Sequence, residues 1–229
     1  MSKSDEVPDK GSNADEAYEA IVRRLRSGQI GPGDRIVDTA IAAEFNMSRM
    51  PAREALLRLV NEGYLVGSTR GFRLPELTQA DVLEIFEIRK ILEPRAAALA
   101  AVALVPEQIE QLESAFSEAR AGLQAGNAKM LFDANVRFRD VWLDAVPNRR
   151  LVAMIERFFD QVNAVRIATL HDAEARQLSV AIGETLLTGF RRGDSLYVFE
   201  QMYSFVEAAR VKFVALNPFE AAGKASAVK

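Results

Sequence analysis

A chain of 229 residues, 49% hydrophobic and 27% charged, has the balance of a soluble globular protein and length for one large domain or two small ones. It has no cysteine and one histidine, His171, which excludes disulfides, thiolate catalysis, iron–sulfur clusters and Cys-bearing zinc sites. A catalytic triad or a histidine metal site would have a single imidazole to use. The net charge of −3 argues against a general polyanion binder, but it is unevenly spread. Residues 48–73 carry Arg49, Arg53, Arg58, Arg70 and Arg73 against Glu54 and Glu62, a local +3 that leaves −6 elsewhere. That is the footprint of a localised phosphate-binding surface, or of a solvated helix face.

Residues 1–12 read as a disordered polar tail. Asn13 and Glu16 have the spacing of a capping box, ahead of a helix with Ala17, Ala20, Ile21 and Leu25 on one face. Gly28 ends it, and Gly31-Pro32-Gly33 prevents a restart. A short bridging strand at 34–37 precedes a brief helix from Asp38 to Phe45. After a turn at 46–48, Ser48 is placed to cap a third helix, where Pro51 is tolerated in the first turn. Ala55, Leu56, Leu59 and Val60 form its inward stripe, while Arg49, Met50 and Arg53 fall away from it. Gly63 suits a left-handed C-cap. Residues 64–66 and 71–74 read as two strands around Gly67-Ser68-Thr69-Arg70.

Helix, turn, helix and hairpin make a winged helix-turn-helix over 13–75. The N-terminal residues of a recognition helix reach base edges in a major groove. Arg49 and Arg53, four apart, share that face. Arg70 at the hairpin tip reaches a neighbouring phosphate or the minor groove, and Gly71 permits close backbone approach. The candidate contacts to double-stranded DNA are Arg35, Ser48, Arg49, Met50, Arg53, Arg70 and Gly71. A small helical domain with incidental surface arginines is the competing reading.

From Thr78 onward the pattern is helical throughout. Thr78 and Asp81 form a second box-like start, and that helix runs past Pro94, where a kink is expected, to end before Pro106. Further helices are predicted at 107–124, 128–146, 149–170, 174–192 and 195–216. Short connections arrange them as an antiparallel all-α bundle over 78–217, with a loose tail at 218–229. The fold class is therefore mainly α, with a small β-hairpin wing. The longest apolar run, 96–105, is ten residues, half of the about 20 that span a bilayer. With no basic-then-apolar leader at the start, a cytoplasmic protein without membrane contact is expected.

The first region resembles the GntR family of bacterial transcription regulators. The likeness rests on Gly28, Pro32, Gly33, then Ser48-Arg49, Pro51, Arg53-Glu54 and Leu56 within residues 47–56, then Leu59, Glu62-Gly63 and the hairpin glycines. The second resembles, more loosely, the ligand-sensing FCD domain of the FadR subfamily, through residues 84–89, Leu92-Glu93, Phe138, Asn148 and Gly193-Asp194. The resemblance implies a homodimer that binds a short inverted repeat and is released by a small metabolite. It also exposes departures. Asp38-Thr39 stands where the family often has a Glu-Arg pair, and Met50 where threonine is usual. Met50 offers only apolar contact, for instance with a thymine methyl. Many relatives hold a divalent cation through one aspartate and three histidines. The matching positions here are Asn135, Arg139, Gly183 and Phe205, so neither metal nor other cofactor is expected.

In the bundle, Val82, Ile85, Phe86, Leu92, Ala96 and Leu99 make one apolar stripe, with Arg89 inside it. Ala128, Leu131, Phe132, Phe138 and Trp142 make another, with Asn135 and Arg139 inside it. The last helix carries Val198, Phe199, Met202, Phe205, Val206, Ala209 and Phe213. A guanidinium in apolar surroundings needs a partner. For Arg89 that is Glu93, four residues on, or a ligand; for Arg139 it is Asp140, a glutamate of another helix, or a ligand. Guanidinium forks suit carboxylate or phosphate. The candidate effector residues are Arg89, Asn135, Arg139, Gly183 and Phe205, and the expected effector is a small organic-acid or acyl-type anion. His171 reads as an exposed inter-helix residue and Trp142 as core. The leading function is a ligand-responsive DNA-binding regulator, expected to repress. The alternatives are a regulator whose bundle only dimerises and a helical-bundle enzyme, the latter disfavoured by one histidine and no paired-carboxylate motif.

Overall fold

The computed structural model describes residues 10–31, 33–162 and 172–216. Pro32, His171 and both expected tails, apart from residues 10–12, lie outside that range. The chain divides into two compact units between Glu76 and Leu77.

The first unit holds α1 (Lys10–Arg26), α2 (Asp38–Glu44), α3 (Arg49–Asn61), β1 (Val66–Ser68) and β2 (Gly71–Arg73). α1 begins before Asn13, which lies inside the helix and not at its cap. The inward faces of α1, α2 and α3 meet around Ala17, Ile21, Leu25, Ile41, Ala55, Leu56 and Leu59. Burying each leucine contributes about 2 kcal/mol. Asn46 turns the chain between α2 and α3 with φ 49°, a conformation asparagine tolerates. The hairpin's first strand lies two residues later than the expected 64–66, and only Thr69 and Arg70 turn the chain: Val66 pairs with Arg73, Gly67 with Phe72 and Ser68 with Gly71. Tyr64 and Leu65 are buried in the core ahead of β1. The bridging strand reduces to one residue, Ile36, which exchanges two 2.8 Å hydrogen bonds with Phe72. Gly71 lies beside that bridge with φ 129°, and a Cβ there would sit 2.6 Å from the Ile36 carbonyl oxygen. The close approach that glycine permits is thus to the chain's own backbone.

The second unit is all-helical over the described residues: α4 (Gln79–Ala101), α5 (Pro106–Gln124), α6 (Ala128–Asp144), α7 (Arg149–Gln161), α8 (Ala173–Arg192) and α9 (Ser195–Leu216). Thr78 and Asp81 form the expected capping box on α4: the Asp81 amide donates to Thr78 Oγ1, and the Thr78 amide to Asp81 Oδ2. α4 continues through Pro94 as one helix. It packs against α6, α7, α8 and α9, while α5 packs against α6 and α8. Gly122 lets α5 touch α6, since a Cβ there would meet the Leu131 backbone nitrogen at 2.8 Å. The core gathers Val82, Ile85, Phe86, Phe138, Trp142, Ile155, Leu186, Phe190, Met202 and Phe213. Phe199, read as part of the inward stripe, is instead an exposed residue of α9. No helix among the described residues is long and apolar enough to cross a membrane.

Candidate functional site

Two places concentrate chemistry, one in each unit. In the first, α2 and α3 bring three charged side chains together. Asp38, the first residue of α2, is buried, and its carboxylate accepts from Arg49 Nη2 at 3.1 and 3.4 Å. Arg53 Nη1 stands 3.6 Å from the same carboxylate. The hydrogen bond from Arg49, with Arg53 adding its charge, holds the Asp38 carboxyl below the ordinary carboxylate range. Both guanidinium side chains stay mostly in solvent, 67% exposed for Arg49 and 56% for Arg53. The pair therefore projects from the N-terminal turns of α3, oriented from beneath by one anion.

The other predicted contacts surround this pair. Ser48 occupies the N-cap position of α3, but its side chain makes no capping bond and the residue is exposed, contrary to the expected cap. Met50 is 74% exposed. Arg35 and Arg70 are exposed, and neither has an ion-pair partner among the described residues. Arg35 lies beside Gly71 at the foot of the wing, three residues before Asp38. The remaining basic residues of the segment are committed within the fold. Arg58 pairs with Glu62 and Asp15 and stacks over Tyr18 at 3.9 Å, and Arg73 pairs with Glu76. Of the five arginines of residues 48–73, Arg49, Arg53 and Arg70 thus remain at the α3 tip and wing, with Arg35 beside them.

In the second unit, Arg89, Asn135, Arg139, Gly183 and Phe205 all line one cavity of about 130 Å³. α4, α6, α7, α8 and α9 contribute its walls, with Phe86, Phe138, Trp142, Phe159 and Leu186 supplying apolar surface. Arg89 and Glu93 are both buried and form a two-pronged pair, Nε to Oε1 at 2.6 Å and Nη2 to Oε2 at 3.4 Å. The charge of Arg89 is thus cancelled inside its own helix. Arg139 is also buried, but among the described residues its Nε and Nη2 have no hydrogen-bond partner. Its Nη1 is 3.8 Å from the exposed Asp140, and its Cζ lies 3.3 Å from the Phe159 ring centroid. Cation–π attraction offsets part of the burial cost. Burial pushes the Arg139 pKa down to about 10, against the opposing fields of Glu93, Asp160 and Asp140, so the group is cationic at neutral pH.

Asn135 donates to Ser179 Oγ at 2.9 Å. Lys212 also borders the cavity, paired with Asp172 and Glu174 at 2.8 Å each. Phe159, Ser179 and Lys212 were not picked out from sequence. Ser179 had a readable signal, because Ala175, Ser179, Ile182, Gly183 and Leu186 form one helical face of α8. The four positions that the family resemblance assigns to a cation, Asn135, Arg139, Gly183 and Phe205, carry an amide, a guanidinium, a hydrogen and a phenyl group. These do not fit a divalent ion. Among the described residues no three His, Cys, Asp or Glu side chains are grouped to hold one.

A winged helix with a cationic recognition tip, joined in one chain to a helical bundle with an internal cavity, defines a DNA-binding regulator of transcription. Residues 13–71 match the bacterial regulatory proteins of the gntR family, and residues 84–208 match the FCD domain. The chain belongs to the GntR family and carries an FCD domain. It is similar to the uncharacterized HTH-type transcriptional regulator YdhC of Bacillus subtilis (strain 168), 32% identical over 66% of this chain and 68% of YdhC. It is 33% identical to HTH-type transcriptional regulator McbR of Escherichia coli (strain K12), over 51% of this chain and 53% of McbR. The solved structure of McbR/YncC superposes with a TM-score of 0.77 at 23% identity, covering 90% of this chain and 98% of that one, which shows the shared fold. The gluconate operon transcriptional repressor of B. subtilis is 39% identical over 34% of this chain and 31% of its own length. These relatives are regulators and not enzymes.

Proposed function

We propose that this chain is a ligand-responsive repressor of the FadR-subfamily type, acting in the cytoplasm as a homodimer on a short inverted repeat of double-stranded DNA. One recognition helix reads few base pairs, so two-fold pairing doubles both base contacts and phosphate neutralisation. Arg49 and Arg53 reach base edges, Ser48 and the α3 amides hold a phosphate, and Met50 packs on a thymine methyl. Arg35 and Arg70, beside and on the wing, grip the backbone. The observation that carries this reading is the exposed Arg49–Arg53 pair, held over the buried Asp38 at the start of α3.

In the bundle, Arg139 with Asn135, Gly183 and Phe205 receives a small anionic effector without a metal, while the charge of Arg89 is balanced by Glu93. The effector releases DNA through its differential affinity for the two dimer geometries. The test is a gel shift on the DNA upstream of the chain's own gene and on a random-duplex library, with and without a metabolite panel at fixed salt. Retention of a selected inverted repeat, weakened by one class of anion, is the expected result. Failure to select any sequence overturns the DNA reading. Selection with no metabolite effect leaves the bundle as a dimerisation unit alone.

A further inference from the structure

Resting on the reading of the bundle cavity as the effector site, we infer that its ligand is a small monocarboxylate with an apolar body, seated directly on Arg139. Three observations narrow the class. The first is charge. Of the cations that border the cavity, Arg89 is matched by Glu93, and Lys212 by Asp172 and Glu174. Arg139 has only the exposed Asp140 as an ion-pair partner, 3.8 Å from Nη1, and its Nε and Nη2 have no hydrogen-bond partner among the described residues. Those two nitrogens form one edge of the guanidinium fork. Arg89 uses the same edge to hold both oxygens of Glu93, so the unit already contains the geometry that a ligand carboxylate would make. A dianion would place its second charge among aromatic rings and near Glu93, with no free cation among the described residues to meet it.

The second observation is the lining. Phe86, Phe138, Trp142, Phe159, Leu186 and Phe205 leave the mutually bonded Asn135 and Ser179 as the neutral polar side chains of the wall. A hydroxyl-rich acid would lose its hydration there without replacement. The third is size. A cavity of about 130 Å³ is slightly smaller than the roughly 150 Å³ apolar cavity that holds a benzene ring. The body is therefore about six carbons, a phenyl or branched alkyl group and not a long acyl chain. The Arg139 guanidinium, with its open edge, removes any need for a bridging cation.

Trp142 is the single tryptophan of the chain and borders the cavity, so its fluorescence reports occupancy. The full-length protein is titrated in EDTA with benzoate and 4-methylpentanoate, against benzamide, succinate and octanoate, by fluorescence and calorimetry. Saturable binding of the two small monocarboxylates, at least about tenfold tighter than the other three, is expected. Arg139→Met removes at least about tenfold of that affinity, yet raises the thermal midpoint of the unliganded protein, because an unpaired buried cation is gone. Arg139→Gln shows the same loss of affinity and guards against a packing effect peculiar to methionine. A requirement for added Zn²⁺ or Mn²⁺, equal or tighter binding of succinate or octanoate, unchanged affinity in both variants, or no saturation by either acid overturns the inference. Binding with no effect on the gel shift upholds it and instead removes the release step of the proposed function.

Discussion

Each unit of this protein sets two arginines against one buried carboxylate, with opposite consequences. At the α3 tip, Arg49 and Arg53 share Asp38 while their side chains stay largely in water. The surplus positive charge there is solvated, costs little and is presented outward to any phosphate that approaches. In the bundle, Glu93 is taken by Arg89, and Arg139 is left buried with two nitrogens unpartnered. There the surplus charge is costly until something neutralises it. The same stoichiometry makes a surface for a polyanion in one unit and a receptor for one small anion in the other. Solvent exposure decides which.

Breaking the buried carboxylate should have the largest effect. Glu93→Ala leaves Arg89 and Arg139 as neighbouring cations in an apolar interior, and removing one partner of a buried pair typically costs about 3–5 kcal/mol. Denaturant unfolding followed by Trp142 fluorescence, which reports the second unit, should show a loss of that size. The double variant Arg89→Met with Glu93→Leu should recover most of it, because the desolvation cost of both charges disappears together. A double variant as unstable as the single one would mean that shape, and not charge, is what the pair contributes.

The exposed pair predicts the reverse: little effect on folding and a large one on DNA. Arg53→Ala removes a base-reaching fork, worth about 1–3 kcal/mol of discrimination, or roughly 5- to 150-fold in operator affinity. Circular dichroism and the unfolding midpoint should stay at wild-type values. Asp38→Asn sharpens the comparison with a smaller effect of mixed sign. Removing a negative charge beside the duplex strengthens binding to random DNA. Losing the orientation of Arg49 and Arg53 lowers the ratio of specific to random affinity, by about three- to tenfold, the scale of pre-ordering a long side chain. Competition binding at one salt concentration separates the two terms. A fall in both affinities together would show Asp38 to be a folding residue only.

These residues also show what a sequence reveals by itself. Arg89 and Arg139 were legible because each interrupts an apolar stripe at helical spacing, so periodicity alone turned them inward. The Thr78–Asp81 box was legible because it closes within one helical turn. Asp38 was readable only as a departure from a family pattern. Its role depends on α2 packing over α3, which brings it to arginines 11 and 15 positions away. Lys212 meets Asp172 across two helices for the same reason. Gly71 read as a place for DNA to approach, whereas its φ answers to the Ile36 carbonyl, 35 residues earlier. Spacing carries local caps and faces; which charges neutralise one another is settled by tertiary packing.

The smallest effect concerns a pair shared between α4 and α9, partly exposed and so intermediate between the two extremes. Glu207 accepts from Arg210 in its own helix and pairs with Lys90 of α4 at 3.0 Å. Arg210 first and Lys90 second hold the Glu207 pKa down to about 2. A carboxylate depressed in the folded state stabilises it fully above its ordinary value near 4.5, and that contribution fades as pH falls toward about 2. Its side chain is about one-third exposed, so solvent screening keeps the contribution below about 1 kcal/mol. Glu207→Gln should therefore lower stability slightly at pH 7 and converge with wild type as pH falls through this window. Urea unfolding at several pH values, read from Trp142, measures the gap. A gap that stays constant down to pH 2 would show that Glu207 acts through packing of its stem against α4 and not through its charge.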